Sequence, residues 1–568
     1  MPTTVLRLLL MLTMSSSAVY AETFPQLAER YFDEVYFRFQ PTAGTSAGFH
    51  RYDTRLEDYS RSSIDSQVAA LHRFLKQVQD FDSRDLAPET AADRELVLAN
   101  IEATLLELEH VRSWEKNPDH YSSGVSSSVF TIMSRTFAPP AERLKAVIAR
   151  ERQMPQVFAA ARANLKNPPR VYTEVAIEQL PGIVSFFEKD VPLAFQKVTD
   201  TGLLADFRAS NQAVVDLLNR YQAYLKNDLL PRSQGDFRLG AENYRKKLLY
   251  EEMVETPLDQ LLQIGYRNLH ENQEALRRTA AKIDPKRTPQ QILEDAEKDH
   301  PAPSKLLQAF RDVLGGLQDF IIQHKIITIP SPVKPILEET PPFIRALTFA
   351  SMDTPGPFEN VAKEAFFNVT LPGKSWSPKQ VEEHMAAFNR GVIISTAIHE
   401  AYPGHYVQFL WVQNAPSKVR KLLGANTNAE GWAHYCEQVM LDEGYGDHDP
   451  KLRLGQLQDA LLRNARYIVG IQMHAGRMTY EQGIDFFVKE GMQTRANGER
   501  ETKRGTSDPT YLYYTLGKLE ILKLREDYKK LRGDRYTLEE FHNSFMKQGF
   551  PPIKIVRRAM LGNDSPVL

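Results

Sequence analysis

The chain has 568 residues, of which 42% are hydrophobic and 25% charged, and its 70 Lys and Arg residues nearly balance 72 Asp and Glu residues. This composition is typical of a globular protein that buries a substantial core, and it excludes an extended disordered chain. The net charge of -2 gives no basic excess for a phosphate backbone, so we expect no nucleic-acid partner. The single cysteine, Cys436, excludes an internal disulfide framework and a zinc site with more than one thiolate.

The N-terminus has the pattern of a secretory signal peptide. Arg7 supplies the positive charge, residues 8–19 form an apolar run, and Ala21 ends a small-residue cleavage site. We therefore predict that residues 1–21 are removed and that the protein is periplasmic or secreted. No later stretch reaches the ~20 apolar residues of a membrane-spanning helix. No cysteine stands directly after the apolar run to carry a bacterial lipid anchor, so we expect no membrane anchor after cleavage.

Apolar periodicity predicts helices over most of the remaining chain. Apolar residues recur at three- and four-residue spacing from Phe24 to about Asn227, and again from about Gly240 to Lys325. Clusters of Pro and Gly separate these segments by short turns. Helices are predicted again from Ser377 to about Lys530, so the expected class is mainly α.

A change in residue composition between these helical regions predicts a small antiparallel sheet. Three short runs there are rich in β-branched and aromatic residues and are bounded by Pro and Gly: Ile326–Ile329, Arg345–Phe349 and Phe366–Leu371. We predict a helical N-terminal lobe over residues 22–325. Residues 326–568 would hold the sheet and the chemistry, and the helices on either side of the sheet would form two interwoven lobes around a cleft.

The chemically informative stretch is residues 394–405, which contains two histidines and a glutamate. Zinc hydrolases hold the metal with neutral imidazoles and place a carboxylate beside it to take a proton from water. The usual helical arrangement is His-Glu-x-x-His, because positions four apart share one face. Here Glu400 follows His399 directly, but the second histidine, His405, lies six residues after the first.

The spacing of the two histidines requires a break in the helix. On a regular helix six residues correspond to a rotation of about 240° and a rise of about 9 Å, so the two imidazoles could not reach one ion. Pro403 removes an amide donor, clashes with the carbonyl of His399 and moves Tyr402 away from helical geometry. Gly404 permits unusual backbone angles. We therefore predict a bulged turn that brings His405 back toward His399.

The third metal ligand is predicted on the next helix. Glu430 lies 25 residues beyond His405, in the run that begins at Asn428. A carboxylate one helix downstream completes the ligand set of zinc peptidases that use two histidines and one glutamate, and it leaves one position for water. Two imidazoles and one carboxylate suit zinc, which is the cofactor we expect.

Several groups of residues carry a resemblance to a known family. Residues 399–408 read HEAYPGHYVQ, and residues 430–437 read EGWAHYCE. Further matching residues lie downstream: Arg463, Arg466, His474, Arg504, Pro509, Tyr514 and Gly517. The chain resembles the domain-of-unknown-function family 885, which is similar in its active-site helices to the gluzincin metallopeptidases. The resemblance covers nearly all of the chain after residue 21, and it implies a largely helical, zincin-like fold, one zinc ion and peptidase activity.

The resemblance also implies catalytic roles. Glu400 would act as the general base that takes a proton from water and passes it to the leaving amine. Tyr514 or His474 would donate a hydrogen bond to the developing oxyanion, with Tyr511 and Tyr513 as alternatives to Tyr514.

Three arginines and one further histidine are candidates for binding the substrate or supporting the metal site. One of Arg463, Arg466 and Arg504 would bind the terminal carboxylate of a peptide, which would give carboxypeptidase or dipeptidase character. The alternative for each is a structural ion pair. His434 stands where an aliphatic residue is common in the family, four residues after Glu430, so it could support the site or act as an alternative ligand.

Three functions follow as hypotheses. The first is a secreted or periplasmic zinc metallopeptidase that acts on peptides or small amides. The second keeps the metal chemistry but has a non-peptide amide or ester as substrate. The third is a helical exported binding protein without catalysis. Fold analogy alone does not decide among substrates.

Overall fold

The structure is a computed structural model that describes residues 22–341, residue 345 and residues 348–568. The predicted signal peptide, residues 1–21, lies outside the described residues. The described chain is mainly helical with one small three-stranded sheet, which confirms the predicted class. Within the described residues, no helix combines the length and the apolar character needed to cross a membrane.

The N-terminal part of the described chain is helical. Its amphipathic helices bury the apolar stripes seen in the sequence, for example Leu71, Phe74 and Val78 on one helix. The α-helices before residue 230 are Phe24–Tyr31, Phe37–Phe39, Pro41–Ala47, Arg61–Asp80, Pro88–Leu105, Ser113–Lys116, Asp119–Ser134, Pro140–Glu151, Met154–Asn164, Arg170–Ser185, Val191–Ala194 and Thr201–Tyr224. Four of them continue into short π-helical segments: Phe32–Tyr36, Leu106–Val111, Phe186–Asp190 and Leu225–Leu229.

The next helices connect this region to the part of the chain that carries the histidines. They are Gly240–Glu252, Leu258–Ile283, Pro289–Ala296 and Leu306–Gln323. The long helix Leu258–Ile283 packs along Pro450–His474, and Leu261, Leu269 and Leu461 belong to the same hydrophobic cluster. Segments that are remote in sequence therefore share one core, and this core holds the later helix in place.

The three strands are β1 (Ile336–Glu339), β2 (Ala350–Asp353) and β3 (Phe366–Val369), with β3 in the centre. β2 pairs with β3 antiparallel, whereas β1 pairs with the other edge of β3 in parallel. The prediction of a purely antiparallel sheet was therefore wrong. Pairing across an edge depends on where the chain enters the sheet, and the composition of a strand does not encode that.

Two of the predicted runs also differ from the observed strands. Ile326–Ile329 is not a strand, because Ile326 and Ile327 are buried against helices instead of a neighbouring strand. A short apolar run has the same appearance in both situations. In the run Arg345–Phe349, residues 346–347 lie outside the described residues. The observed strand does not overlap this run and begins directly after its end, at Ala350.

The C-terminal helices position the candidate site. Five of them are named here after a site residue: the His399 helix (Arg390–Glu400), the His405 helix (His405–Val412), the Glu430 helix (Asn426–Asp442), the Arg500 helix (Arg495–Ser507) and the Tyr514 helix (Tyr513–Arg532). The other C-terminal α-helices are Pro378–Ala386, Lys418–Leu422, Pro450–His474, Tyr480–Lys489, Leu538–Met546 and Ile553–Leu561. The His399, Glu430 and Tyr514 helices all pack against Pro450–His474.

Candidate metal centre

The predicted break between the two histidines is present. The His399 helix ends at Glu400, the chain turns through residues 401–404, and the His405 helix begins directly afterwards. Gly404 packs so closely on the preceding helix that a Cβ atom there would overlap the carbonyl oxygens of His399 and Ile398. The glycine therefore allows the turn to fold back, and the two imidazole ring centroids lie 4.8 Å apart.

The structure brings the three predicted ligands together. Glu430 Oε2 lies 3.3 Å from His399 Nε2 and 3.3 Å from His405 Nε2. One ligand atom from each residue lies within 4.8 Å of the others, and both histidines are buried. Burial lowers the pKa of His399, but the carboxylates of Glu430 and Glu437 outweigh it and raise that pKa to about 9. The adjacent imidazoles hold the pKa of Glu430 well below its usual value, despite its burial.

The arrangement of donors fits a divalent cation. When His399 donates its Nδ1 proton to Glu437, its Nε2 lone pair faces the carboxylate of Glu430. Glu430 Oε2 is buried, and no donor in the described part of the chain makes a hydrogen bond to it. The lone pairs of imidazole nitrogens repel a buried carboxylate oxygen that they face, unless a proton or a metal ion lies between them. Two imidazole nitrogens and one carboxylate are suitable ligands for zinc.

A buried carboxylate outside the predicted set of site residues, Glu437, supports the first histidine. Glu437 accepts hydrogen bonds from His399 Nδ1 at 2.7 Å and from His434 Nδ1 at 2.9 Å, and it forms an ion pair with Arg463 at 2.8 Å. Although burial opposes ionisation, Arg463 and His434 hold the pKa of Glu437 well below its usual value. A carboxylate that accepts the Nδ1 proton of a metal-binding imidazole fixes the tautomer of that imidazole.

His434 therefore lies behind the candidate ligands. Its Nδ1 is bound to Glu437, and it does not belong to the three-residue cluster of possible ligand atoms found among the described residues. Burial, with a contribution from Lys518, lowers the pKa of His434 to about 3, so the ring is neutral. Glu437 was recognisable in principle, because it lies seven residues after Glu430, two turns along the same helix face.

Glu400 lies beside the ligands and faces a cavity of about 420 Å³. No described residue forms a hydrogen bond or an ion pair with its carboxylate. Burial raises the pKa of Glu400, and the nearby histidines oppose this rise. The carboxyl group is thus free to exchange a proton with a molecule in the cavity.

Of Tyr511, Tyr513 and Tyr514, the three predicted candidates, Tyr514 is the one that lines the cavity. Its ring stacks near the ring of His399, with the centroids 6.2 Å apart, and its hydroxyl accepts a hydrogen bond from Arg504 at 3.1 Å. Tyr513 donates its hydroxyl proton to Asp508, and Tyr511 is fully buried in the core.

His474 is not brought to the site. Its Nε2 donates to the carbonyl oxygen of Gly505 at 2.8 Å, and the ring packs near Phe237 and Tyr244 outside the cavity lining. Burial lowers the pKa of His474 to about 4. The helical spacing of His474 after Arg463 predicted that both side chains line the cavity. His474 is instead the last residue of the helix Pro450–His474, and this end of the helix extends past the cavity.

The three predicted arginines all line the cavity, and each is already paired. Arg463 is bound to Glu437. Arg466 forms a bidentate pair with Glu501 at 2.7 and 2.9 Å. Arg504 donates to Asp508 at 3.0 Å as well as to Tyr514. These guanidinium groups hold the walls of the cavity together, and an incoming carboxylate would have to compete with their partners.

Comparisons with known proteins place the chain. No curated protein matches it. A candidate lipoprotein of unknown function from Shewanella oneidensis is 27% identical, with a TM-score of 0.77, over 95% of this chain and 100% of that one. A candidate lipoprotein from Colwellia psychrerythraea shares the fold, with a TM-score of 0.80, 19% identity and coverage of 95% of this chain and 99% of that one. Residues 41–560 match the family described as "Bacterial protein of unknown function (DUF885)", and the chain therefore belongs to that family.

Proposed function

We propose that the protein is an exported zinc-dependent hydrolase with a zincin-like site and peptidase activity. The observation that carries the proposal is the convergence of His399, His405 and Glu430 beside the free carboxylate of Glu400 in a cavity. An exported location is supported by the structural relative from Shewanella oneidensis, which is described as a candidate lipoprotein. The apolar N-terminal segment of this chain supports the same location.

The residues of the site divide the chemistry of amide hydrolysis among them. His399, His405 and Glu430 would hold one zinc ion, and zinc bound there would polarise the scissile carbonyl and lower the pKa of the attacking water. Glu400 accepts a proton from that water and donates it to the leaving amine. The raised pKa of Glu400 suits both steps, because a base that is too weak would not take the proton.

Tyr514 is the proposed donor to the oxyanion. Arg504 donates to the tyrosine oxygen, which leaves the hydroxyl proton free to point into the cavity. A preorganised donor of this kind stabilises negative charge as it develops on the carbonyl oxygen. His474 is not the proposed donor, because its Nε2 proton is already donated to the carbonyl oxygen of Gly505.

A short peptide suits the site better than a folded protein. A cavity of about 420 Å³ has the size of a small-molecule pocket. Its lining combines acidic, basic and aromatic side chains, so it can bind an amide backbone together with side chains. An amide or ester that is not a peptide would undergo the same chemistry, and a mixed panel of peptides and esters separates the two possibilities.

The proposal is tested by substituting the general base while the metal site is kept. We expect the wild-type protein to bind about one zinc ion per chain. Glu400→Gln should retain that zinc, measured by elemental analysis, but lower peptide hydrolysis by about 10²–10⁴-fold, because the amide cannot take a proton. Glu526→Gln is a matched control on an exposed position of the Tyr514 helix and should not change turnover.

Two outcomes would contradict the proposal. If the wild-type protein binds no zinc, or if Glu400→Gln hydrolyses the peptide panel at the wild-type rate, the zinc-peptidase assignment fails. Stoichiometric zinc without hydrolysis of any peptide or ester would instead favour a binding protein without catalysis.

A further inference from the structure

A fourth arginine, Arg500, lines the cavity without a partner in the described part of the chain. Its guanidinium lies over the ring of Phe349, with Cζ 4.1 Å from the ring centroid. No carboxylate or other acceptor among the described residues forms an ion pair or a hydrogen bond with it. In this respect it differs from Arg463, Arg466 and Arg504, each of which has a carboxylate partner.

The two carboxylates whose charges act on Arg500, Glu501 and Glu178, are already engaged. Glu501 is bound bidentately by Arg466, and Glu178 forms an ion pair with Lys503 at 2.9 Å. Arginine remains charged at physiological pH even when partly buried. A partly buried guanidinium without a counter-ion is unfavourable, and an anion that enters the cavity would relieve that cost. The charge pattern therefore favours an external carboxylate at this position.

Arg500 lies over a different aromatic ring from the other three arginines. Arg463, Arg466 and Arg504 lie within 6 Å of the Tyr514 ring, next to the candidate metal ligands. The wall at Arg500 is aromatic, because the Phe349 ring lies 5.6 Å from that of His384. Trp376 also lines this wall and its side chain is partly exposed, at 39%. One part of the cavity therefore holds His399, Glu400 and Tyr514, and another holds Arg500 beside Phe349.

We propose that Arg500 binds the free terminal carboxylate of the substrate, with an apolar or aromatic side chain of the substrate packed against Phe349 and Trp376. This proposal rests on the proposed function and specifies its substrate class: peptides with an unblocked C-terminus, shortened from that end. In the reaction, water adds its hydroxyl to the scissile carbonyl carbon, the C–N bond breaks, and Glu400 transfers the proton to the departing amine. The released fragment keeps its carboxylate on Arg500 until it leaves the cavity.

The first test measures binding and does not depend on catalysis. We would titrate 3-phenylpropanoate and its uncharged counterpart 3-phenylpropanamide into the full mature chain by calorimetry, with zinc and after its removal by a chelator. Arg500→Met should weaken binding of the carboxylate by about 10- to 100-fold in both preparations and leave binding of the amide unchanged. Arg500→Lys should restore only part of the affinity, because it keeps the charge but loses the bidentate geometry.

The control is another arginine on the same helix. Arg495 has a side chain that is 58% exposed and paired with Glu499, so Arg495→Met should bind both probes as the wild type does. The proposal is overturned if Arg500→Met leaves carboxylate binding unchanged, or if it weakens the carboxylate and the amide equally. The second result would indicate that Arg500 only shapes the wall by stacking on Phe349.

The second test is kinetic. For a peptide with a free C-terminus, Arg500→Met should lower kcat/KM by about 10- to 100-fold, mainly through KM, whereas an amidated peptide should be unaffected. Equal losses for both peptides would refute the role of Arg500. If no peptide is hydrolysed by the wild-type protein, the proposed function fails, but the calorimetric comparison still decides whether Arg500 binds a carboxylate.

Discussion

Glu437 is the residue on which most of the buried polar network at the site depends. It accepts from His399 and His434 and pairs with Arg463, and all of these groups are buried. Removing one partner of a buried charged network leaves the others uncompensated, at a cost of about 3–5 kcal/mol. Glu437 therefore holds the candidate ligand His399 in one orientation. It also supplies the counter-ion for the buried Arg463.

Replacing Glu437 by glutamine tests its influence on the metal site. The amide keeps the shape and one acceptor but loses the charge that fixes the His399 tautomer. We expect Glu437→Gln to weaken zinc affinity by about 10- to 100-fold, measured by competition with a chromophoric chelator. Glu526→Gln should bind zinc like the wild type. Unchanged zinc affinity in the folded variant would show that this carboxylate does not tune the site.

At the scale of elements, close contacts between backbones position the site. Gly431 of the Glu430 helix approaches Gly517 of the Tyr514 helix so closely that a Cβ on Gly431 would lie 2.6 Å from the Gly517 Cα. The crossing point is next to Glu430 and one helical turn from Tyr514. The two helices can therefore place a candidate ligand and the proposed oxyanion donor on the same side of the cavity.

The turn before the His405 helix gives a second prediction at this scale. Gly404→Ala would bring a methyl group against the carbonyl oxygens of His399 and Ile398, so the turn must open and move His405 away. We expect zinc affinity to fall by at least about 10-fold and the free energy of unfolding by about 1–3 kcal/mol. Both are measured on the purified variant, by chelator competition and by denaturant titration.

Gly315→Ala provides the matched control for this substitution. Gly315 lies within the helix Leu306–Gln323, and a Cβ there meets no atom of the described chain within 4 Å. Alanine favours a helix over glycine by up to ~1 kcal/mol, so this variant should be as stable as the wild type or slightly more stable. If Gly404→Ala binds zinc as tightly as Gly315→Ala does, the close approach at Gly404 does not control the position of His405.

At the scale of the whole molecule, several hydrophobic clusters support the site from a distance. One cluster lies within residues 121–229, and another joins the helices around residues 24–105 to Val419, Leu423 and Ile555 near the site region. The first of these clusters adjoins a buried carboxyl group, Glu151, which accepts a hydrogen bond from Ser210. The stability of the N-terminal half should therefore respond to pH independently of the metal site.

Burial raises the pKa of Glu151 to about 8 from a usual value of 4.5, with Ser210 and Arg152 opposing the rise. Folding therefore favours the protonated form, and the associated stability is complete below about pH 4.5 and is lost as the pH rises toward 8. Glu151→Gln cannot ionise. At pH 8 its free energy of unfolding should exceed that of the wild type by up to about 4 kcal/mol, and the difference should nearly vanish at pH 4.5.

Denaturant titrations at the two pH values measure this difference. Glu142→Gln, an exposed substitution on the same helix, Pro140–Glu151, should follow the wild type at both. A stability gap between Glu151→Gln and the wild type that is the same at pH 4.5 and pH 8 would contradict a buried, protonated carboxyl group at this position.

The helical class and the break between the two histidines were predictable from local sequence. Both depend on local rules: apolar spacing selects helices, and Pro403 with Gly404 interrupts one between His399 and His405. The choice of Glu430 as the third ligand rested on its place one helix downstream, and the geometry brings it beside both imidazoles.

Features that depend on segments remote in sequence were not predictable in this way. The parallel pairing of β1 with β3 depends on the path of the chain into the sheet. Tyr514 and not His474 faces the cavity, because packing between helices sets the rotation of each one. Arg466 is paired with Glu501, whereas Arg500 has no ion pair among the described residues, although both side chains have the same chemistry. The partners of a side chain are set by where helices cross, and the local pattern of residues does not specify those crossings.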